Sequence, residues 1–251
     1  MRKVDLNADM GEGFGRWKMG DDAALLDIIT SANIACGFHA GDPDVMDRTM
    51  RTAVEKGVGI GAHPGFADLK GFGRRRLPLS HEEIANAVVY QLGAAQAVAR
   101  RAGGSVRHLK LHGALGNMTS EDVTLARACY AAALEVAPDI VIMVLAETAQ
   151  QQAVRDLNCN WAGEIFADRA YNDDATLVDR SKPGAVLHDA KEAAARILRM
   201  LDAGAIIAES GKQIPCRIDT ICMHGDTPDA VNMARAVRAE LSAAGVELVK
   251  L

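Results

Sequence analysis

A short pattern that recurs along the chain constrains its fold more than any other feature of the sequence. Residues 31–43, SANIACGFHAGDP, contain an apolar strand over Ala32–Phe38, then His39, and then Asp42 and Pro43, a cap and first-turn pair that opens a helix. The same order of strand, polar strand end, short loop and helix returns down the sequence. It predicts parallel strands joined by helices, and ligands bind at the carboxyl ends of such strands.

Apolar runs bounded by turn residues predict seven strands. They cover Val4–Asp9, Ala32–Phe38, Val58–Ala62, His108–Leu111, Ile140–Ala146, Ala162–Phe166 and Asp219–Met223, and Val246–Leu251 is either a closing strand or a docked tail. Spacing and caps predict helices over Asp21–Ile29, Pro43–Lys56, Ser80–Ala102, Ser120–Val136, Thr148–Leu157, His188–Ala203 and Asp229–Ala243. Without a hairpin signal or a linker, we expect one domain over residues 1–251. The unit count favours a (β/α)8-type barrel, irregular or seven-stranded, over an open doubly wound sheet.

Charge and cysteine usage narrow the class of protein. The formal net charge is −5, from 28 basic and 33 acidic residues that are spread along the chain, which argues against binding to nucleic acids or anionic membranes. The five cysteines form no CxxC pair and indicate reduced thiols. Arg2 and Lys3 lead directly into polar residues, so we expect no signal sequence, and the longest apolar run, Ile140–Ala146, is too short to cross a bilayer. We expect a cytoplasmic enzyme or binding protein.

Most of the predicted strands end in groups that titrate or bind metals. These groups are Asp5, Asn7 and Asp9, then His39, His63, Lys110 and His112, and later Glu164, Asp168, Arg169, His224 and Asp226. One histidine at a strand end is usually structural. Four of the seven histidines at the same end of different strands predict a shared site.

A metal site is the first of two chemistries that fit the histidines and carboxylates. Asp5 or Asp9 with His39 and His63 would offer oxygen and imidazole ligands to a divalent metal with an open position, although no HxH or HExxH spacing supports it. The alternative is that these groups hydrogen-bond to the substrate and to one another without a metal.

General acid–base catalysis is the second possibility. It would pair His112 or His224 with the carboxylates of Asp168 or Asp226, which would orient the imidazoles.

Anion binding is a third chemistry that the sequence suggests. Arg74, Arg75 and Arg76 follow Gly71-Phe72-Gly73, and arginine forks match phosphate or carboxylate oxygens. A solvated basic turn is the alternative interpretation of this run.

Longer motifs resemble the LamB/YcsF family across the whole chain. They are DLNADMGEGFG (5–15), SANIACGFHAGDP (31–43), GAHPGF (61–66), GFGRR (71–75), LKLHGALGN (109–117), EIFADRAY (164–171) and HGD (224–226). The resemblance implies an irregular, seven-stranded (β/α) barrel of the glycoside hydrolase/deacetylase type. It also implies ATP-dependent ring opening of 5-oxo-L-proline to L-glutamate, with ADP and phosphate released. In that 5-oxoprolinase activity the family supplies the A subunit, and subunits B and C act with it.

With this resemblance, we expect Asp9, His39, His63, His112, Asp168, His224 and Asp226 to be catalytic, and Asn7, Arg74, Arg75, Lys110, Glu164 and Arg169 to bind the substrate. The resemblance also draws attention to Asp5, Asp9, His39 and His63 as metal ligands, for a transition metal, whereas magnesium would accompany ATP. Two positions depart from the family's KPHGALYN motif, because Leu111 and Gly116 replace its proline and tyrosine.

Two functions from other classes stay open at this point. One is a metal-dependent deacetylase or amidohydrolase that acts on a small N-acyl substrate without ATP. The other is a protein that binds a lactam and hands it to a partner without turning it over. The sequence also leaves open whether the chain self-assembles and whether ATP binds this chain or a partner subunit.

Overall fold

A computed structural model of the chain describes residues 2–179, 181–187, 189–223 and 230–251. Two of the expected catalytic residues, His224 and Asp226, lie outside the described residues, as does the predicted helix start at His188.

Seven parallel strands close into a barrel. They are β1 (Lys3–Met10), β2 (Ser31–Ala35), β3 (Gly59–His63), β4 (Val106–Leu109), β5 (Val141–Leu145), β6 (Trp161–Phe166) and β9 (Thr220–Met223). Each strand pairs with the next in this order, and β9 pairs back to β1 with Asp5 opposite Thr220. The seven-stranded barrel that the sequence predicted is therefore confirmed.

Eight α-helices connect and flank these strands in the described part of the chain. They are α1 (Asp22–Leu25), α2 (Pro43–Glu55), α3 (His81–Arg101), α4 (Gly113–Glu121), α5 (Val123–Val136), α6 (Ala149–Asp156), α7 (Ala190–Ala203) and α8 (Ala230–Ala243). The predicted caps hold at two of them. Asp42 accepts from two backbone N–H groups of α2, and Ser80 and Glu83 form a capping box on α3.

Three local predictions were wrong. The segment predicted as one helix from Ser120 contains the end of α4 and all of α5, and α5 is capped by Asp122, whose carboxylate accepts from Thr124 and Leu125 N–H. The first helix is much shorter than Asp21–Ile29. An antiparallel hairpin of β7 (Ala205–Ile207) and β8 (Gln213–Pro215), which no signal in the sequence predicted, follows α7.

The C-terminal segment contributes a two-residue strand, β10 (Glu247–Leu248), which pairs with the start of β1.

The two faces of β1 differ, and the face that points into the barrel is polar. Leu6 and Ala8 belong to the hydrophobic core, whereas the alternate residues Asp5, Asn7 and Asp9 make hydrogen bonds to side chains of other strands. These three residues form a polar column that runs toward the carboxyl ends of the strands. Among the described residues, no helix is both long and apolar enough to span a membrane.

Candidate active site

Among the described residues, three histidines from three different strand–helix units meet at the carboxyl end of the barrel. His39 follows β2, His63 is the last residue of β3, and His112 immediately precedes α4. The rings of His39 and His112 stack at 3.6 Å with an angle of 7° between them, and the His63 ring stands edge-on to both. We refer to His39, His63 and His112 as the histidine cluster. All three are at least 96 % buried, so little water reaches them.

Two rings of the histidine cluster are anchored by backbone carbonyls. His63 Nδ1 donates to the Lys110 carbonyl oxygen at 2.8 Å, and His112 Nε2 donates to the Phe72 carbonyl oxygen at 2.8 Å. The other two nitrogens, His63 Nε2 and His112 Nδ1, are 3.0 Å apart. Neither ring nitrogen of His39 has a hydrogen-bond partner among the described residues.

Glycines at two positions let the backbone approach the histidine cluster. A Cβ atom at Gly65 would lie 2.7 Å from His39 Nδ1, and one at Gly73 would lie 2.7 Å from the His39 Cβ atom. Gln91 fixes the first of these loops, because its amide accepts from Gly65 N–H and donates to the Gly65 carbonyl. The GAHPGF and GFGRR motifs therefore form the walls around the imidazoles.

Burial keeps the rings of His39 and His112 neutral. It lowers the pKa of His39 well below its ordinary value, and the neighbouring His112 and His63 lower it further. Burial also lowers the pKa of His112, to about 3, with His63 as the next cause. Neutral imidazoles are the forms that accept a proton or bind a metal.

A buried lysine lies between two carboxylates beside the histidine cluster. Lys110 Nζ is 3.2 Å from Asp9 Oδ1, 2.9 Å from Glu164 Oε1 and 3.0 Å from Cys222 Sγ. Burial by itself would lower the pKa of Lys110, but the Asp9 and Glu164 charges outweigh it and raise that pKa well above its ordinary value. Burial raises the pKa of the Cys222 thiol, so the thiol is neutral and the balancing charge comes from the carboxylates.

A second group of buried polar side chains lies closer to the amino ends of the strands. We refer to Asp5, Asn7, Asn33, His108 and Thr220 as the lower polar layer. Asn33 Nδ2 donates to Asp9 Oδ1 at 2.9 Å and to Asn7 Oδ1 at 2.7 Å, and its own oxygen accepts from His108 Nε2 at 2.8 Å. Asn33 and Cys222 were not predicted as site residues. Asn33 lies within the apolar run of β2, and only its place opposite Asp9 in the strand register signals its role.

Asp5 belongs to this layer and lies apart from the histidine cluster. Its carboxylate accepts from the hydroxyls of Thr30, Ser31 and Thr220 at 2.5–2.7 Å. Burial raises its pKa, and these three hydrogen bonds oppose that shift. Among the described residues, the group whose ligand atoms lie within 4.8 Å of one another consists of Glu12, His39, His63 and His112. Of the four metal ligands expected from the sequence, His39 and His63 belong to this group, Asp9 Oδ2 lies 3.4 Å from His63 Nε2, and Asp5 lies in the lower polar layer.

A cavity of about 710 Å³ opens above these groups and has cations at its rim. Asp9, Lys110, Glu164, His63 and His112 line its inner part, and Arg74, Arg76 and Lys182 line it further out. The cavity has the size of a small-molecule site. Arg75 does not line it, and its guanidinium pairs with the Asp68 carboxylate instead.

The loop after β6 is held by a residue that was expected to bind substrate. Arg169 lines the cavity, but its Nη2 donates to the Val178 carbonyl oxygen at 2.6 Å and its Nε donates to the Ala185 carbonyl oxygen at 3.4 Å. The Asp168 carbonyl oxygen accepts from Leu187 N–H at 2.8 Å. Arg169 and Asp168 therefore fix the described parts of the loop over residues 171–187 against the barrel.

The fold and the site together define a (β/α) barrel with a buried histidine cluster and a charged cavity at the carboxyl ends of its strands. The chain belongs to the LamB/YcsF family, because the model of that family matches residues 4–251.

Named relatives and solved structures agree with this family. The chain is 66 % identical to the A subunit of 5-oxoprolinase from Ruegeria pomeroyi over 248 residues, which are 99 % of this chain and 98 % of that protein. Its fold matches the crystal structure of a lactam utilization protein from Thermus thermophilus with a TM-score of 0.93 at 42 % identity, over 99 % of this chain and 100 % of that chain. A peptidoglycan N-acetylglucosamine deacetylase catalytic domain from Eubacterium rectale shares the fold, with a TM-score of 0.53 at 11 % identity over 100 % of this chain and 88 % of that one.

Proposed function

We propose that the chain opens the ring of 5-oxo-L-proline to give L-glutamate, coupled to hydrolysis of ATP to ADP and phosphate, as the A subunit of a 5-oxoprolinase that also contains subunits B and C. The relatives that are named as the A subunit of 5-oxoprolinase support the activity and the need for further subunits. The name of the lactam utilization protein supports a cyclic amide as the substrate.

The observation that carries the proposal is the alternation of charges Asp9, Lys110 and Glu164 at the inner end of the cavity. A lactam presents an N–H donor and a carbonyl oxygen next to each other. The Glu164 carboxylate would accept from the N–H, and the Lys110 ammonium would stabilise negative charge that develops on the oxygen. A preorganised cation and anion 2.9 Å apart therefore match the two polar atoms of the reacting amide.

ATP would make the amide reactive by phosphorylating its oxygen. Transfer of the γ-phosphoryl group to the lactam oxygen releases ADP and gives an imidate phosphate. Water then attacks the ring carbon, the ring nitrogen leaves as the amine, and the resulting acyl phosphate reacts with a second water to give glutamate and phosphate. Each turnover thus consumes one ATP and two waters.

The chain's own residues would act on the proton and the phosphate in these steps. Asp9, which lies between Lys110 and His63, would take the proton of the attacking water. Arg74 at the rim would bind phosphate oxygens, and so would Arg76 beside it, whose guanidinium also pairs with the Glu121 carboxylate at 2.6 Å. We infer that the phosphoryl group enters from this side, whichever subunit binds the nucleotide.

The experiment is release of glutamate and phosphate from 5-oxo-L-proline and ATP, measured with the chain alone, with subunits B and C alone, and with all three. We expect both products in a 1:1 ratio only with all three subunits. Hydrolysis by the chain alone without ATP would support the amidohydrolase instead. Binding of the lactam without turnover in any combination would support a carrier.

A further inference from the structure

Ring nitrogens converge at the histidine cluster. The carbonyl oxygens of Lys110 and Phe72 can only accept, so His63 and His112 turn the N–H groups at Nδ1 and Nε2 toward them. The remaining nitrogens, His63 Nε2 and His112 Nδ1, face each other at 3.0 Å. Two imidazole nitrogens this close to each other need a shared proton or a bound cation between them.

Two further groups lie beside these nitrogens. Asp9 Oδ2 is 3.4 Å from the same His63 Nε2. His39 is fully buried, and both of its ring nitrogens are without a hydrogen-bond partner among the described residues. Buried polar atoms are nearly always paired because leaving them unpaired is costly. A bound cation would satisfy buried nitrogens of all three imidazoles together.

We propose that His39, His63 and His112, with Glu12, hold a divalent transition-metal ion beside the Asp9 carboxylate. The ligand atoms of the four residues lie within 4.8 Å of one another. A separation of 3.0 Å between two imidazole nitrogens matches adjacent ligands of an ion about 2.1 Å from each. The two carbonyls that accept from His63 and His112 are the kind of partner that orients metal-binding imidazoles.

The ligand types select the class of metal. Imidazole nitrogen favours zinc, cobalt, nickel or iron, whereas magnesium and calcium prefer oxygen ligands. When bound, such an ion would make a water beside Asp9 more acidic. The proposed site stands apart from the proposed function, because metal binding is a property of this chain alone.

The experiment measures metal content and metal affinity of the isolated full chain. After removal of metals and reloading with zinc or cobalt, we expect about one equivalent in the wild type, with a cobalt absorption spectrum typical of nitrogen ligands. His63→Ala and His112→Ala should each weaken binding more than about 100-fold, beyond what loss of a supporting partner costs. Zinc should also raise the melting temperature of the wild type and not that of the variants.

Matched variants keep the outcome decisive. His81, an exposed histidine at the start of α3, provides the control, and His81→Ala should bind the metal as the wild type does. If His63→Ala does not fold, His39→Gln retains a side chain of similar size at a second ligand position and should show the same loss. A wild type that takes up less than about a tenth of an equivalent, or that loses nothing in the cluster variants, would overturn the proposal.

The result separates from the test of the proposed function. A chain that binds the metal but does not open the lactam with subunits B and C keeps this site and contradicts the proposed function. The opposite result is a metal-free chain that opens the lactam at full rate and in which nitrogen NMR shows a proton shared by His63 and His112. That result keeps the proposed function and contradicts the metal site.

Discussion

The lower polar layer and the histidine cluster are both buried in the same barrel, yet they differ in how their polar atoms are used. In the lower polar layer, the Asp5 carboxylate accepts three hydroxyl hydrogen bonds and Asn33 uses both its amide nitrogen and its oxygen. His108 Nδ1 is the atom of this layer without a partner among the described residues. In the cluster, His39 has no partner from the described part of the chain at either nitrogen, and two other ring nitrogens face each other.

The residues of the lower polar layer and those of the histidine cluster therefore have different roles. A satisfied network rigidifies the fold and can be lost only at a cost in stability. Buried atoms that lack partners persist when a ligand supplies the missing interaction. We therefore expect changes in the lower polar layer to lower stability, and changes at the carboxyl end to lower activity, with the residues that join the two regions doing both.

Lys110→Met should give the largest effect, because Lys110 joins the two regions. Removing the ammonium leaves the Asp9 and Glu164 carboxylates without their buried counter-charge, which should lower the free energy of unfolding by about 3–5 kcal/mol. Glutamate release with subunits B and C should fall at least about 100- to 1,000-fold. Urea unfolding and the coupled assay measure the two effects.

Lys70→Met is the control, since Lys70 is an exposed residue that should affect neither quantity. Lys110→Arg keeps the charge in case the first variant does not fold, and it should lose at least about tenfold in rate. Full activity in a folded Lys110→Met protein would contradict the role of this residue.

Asn33→Ala should reduce activity and, at a smaller cost than Lys110→Met, stability as well, because Asn33 joins the lower polar layer to Asp9. Asn33 donates to Asp9 and so positions the carboxylate that lies beside the histidine cluster. We expect kcat about 10- to 100-fold lower with KM near the wild-type value, as for other residues that orient a catalytic group. Steady-state kinetics distinguish this from a loss of stability alone.

Gln151→Ala provides a buried-amide control for that experiment. Gln151 is 2 % exposed and hydrogen-bonds to Glu147 in the connection after β5. It should lose about 1–3 kcal/mol of stability and keep its kcat. If both variants lose kcat equally, Asn33 has no special connection to Asp9.

Asp5→Asn should lower stability and leave the reaction unchanged. The Thr220 hydroxyl donates to Asp5 and accepts from Asn7, so an amide at position 5 would place N–H donors opposite a hydroxyl that needs an acceptor. The expected loss is about 1–3 kcal/mol by urea unfolding. A rate per folded molecule that drops more than about tenfold would break the separation between the two regions, because it would place Asp5 in the reaction.

The sequence predicted the barrel because its local signals agree with the global fold. Apolar runs and caps such as Asp42 and Ser80 mark where strands end and helices start. It missed α4 because that helix begins directly after His112 with no side-chain cap. It missed β7 and β8 because strands of three residues carry no periodicity.

The location of the site could be predicted, but the pairing of its atoms could not. Strand ends are visible in the sequence, so His39, His63 and Lys110 were expected at one edge. β2 is buried along its whole length, however, and a strand buried on both faces gives no alternation from which Asn33 could be assigned to the interior. Likewise, which of three consecutive arginines reaches the cavity depends on a backbone turn at Phe72, whose φ is 53°.

Arg75→Ala should have the smallest effect and sets the baseline for the others. The Arg75 side chain is 64 % exposed and pairs with the buried Asp68 carboxylate, and an ion pair whose cation is open to water contributes little to stability. Asp68 keeps its hydrogen bond from Gly71 N–H without Arg75, so the turn should persist. Arg74→Ala, one residue earlier and on the cavity, should instead raise the KM of the coupled reaction about tenfold. Equal effects of the two substitutions in the coupled assay would mean that the direction of each guanidinium does not matter, and that the basic run acts only through its total charge.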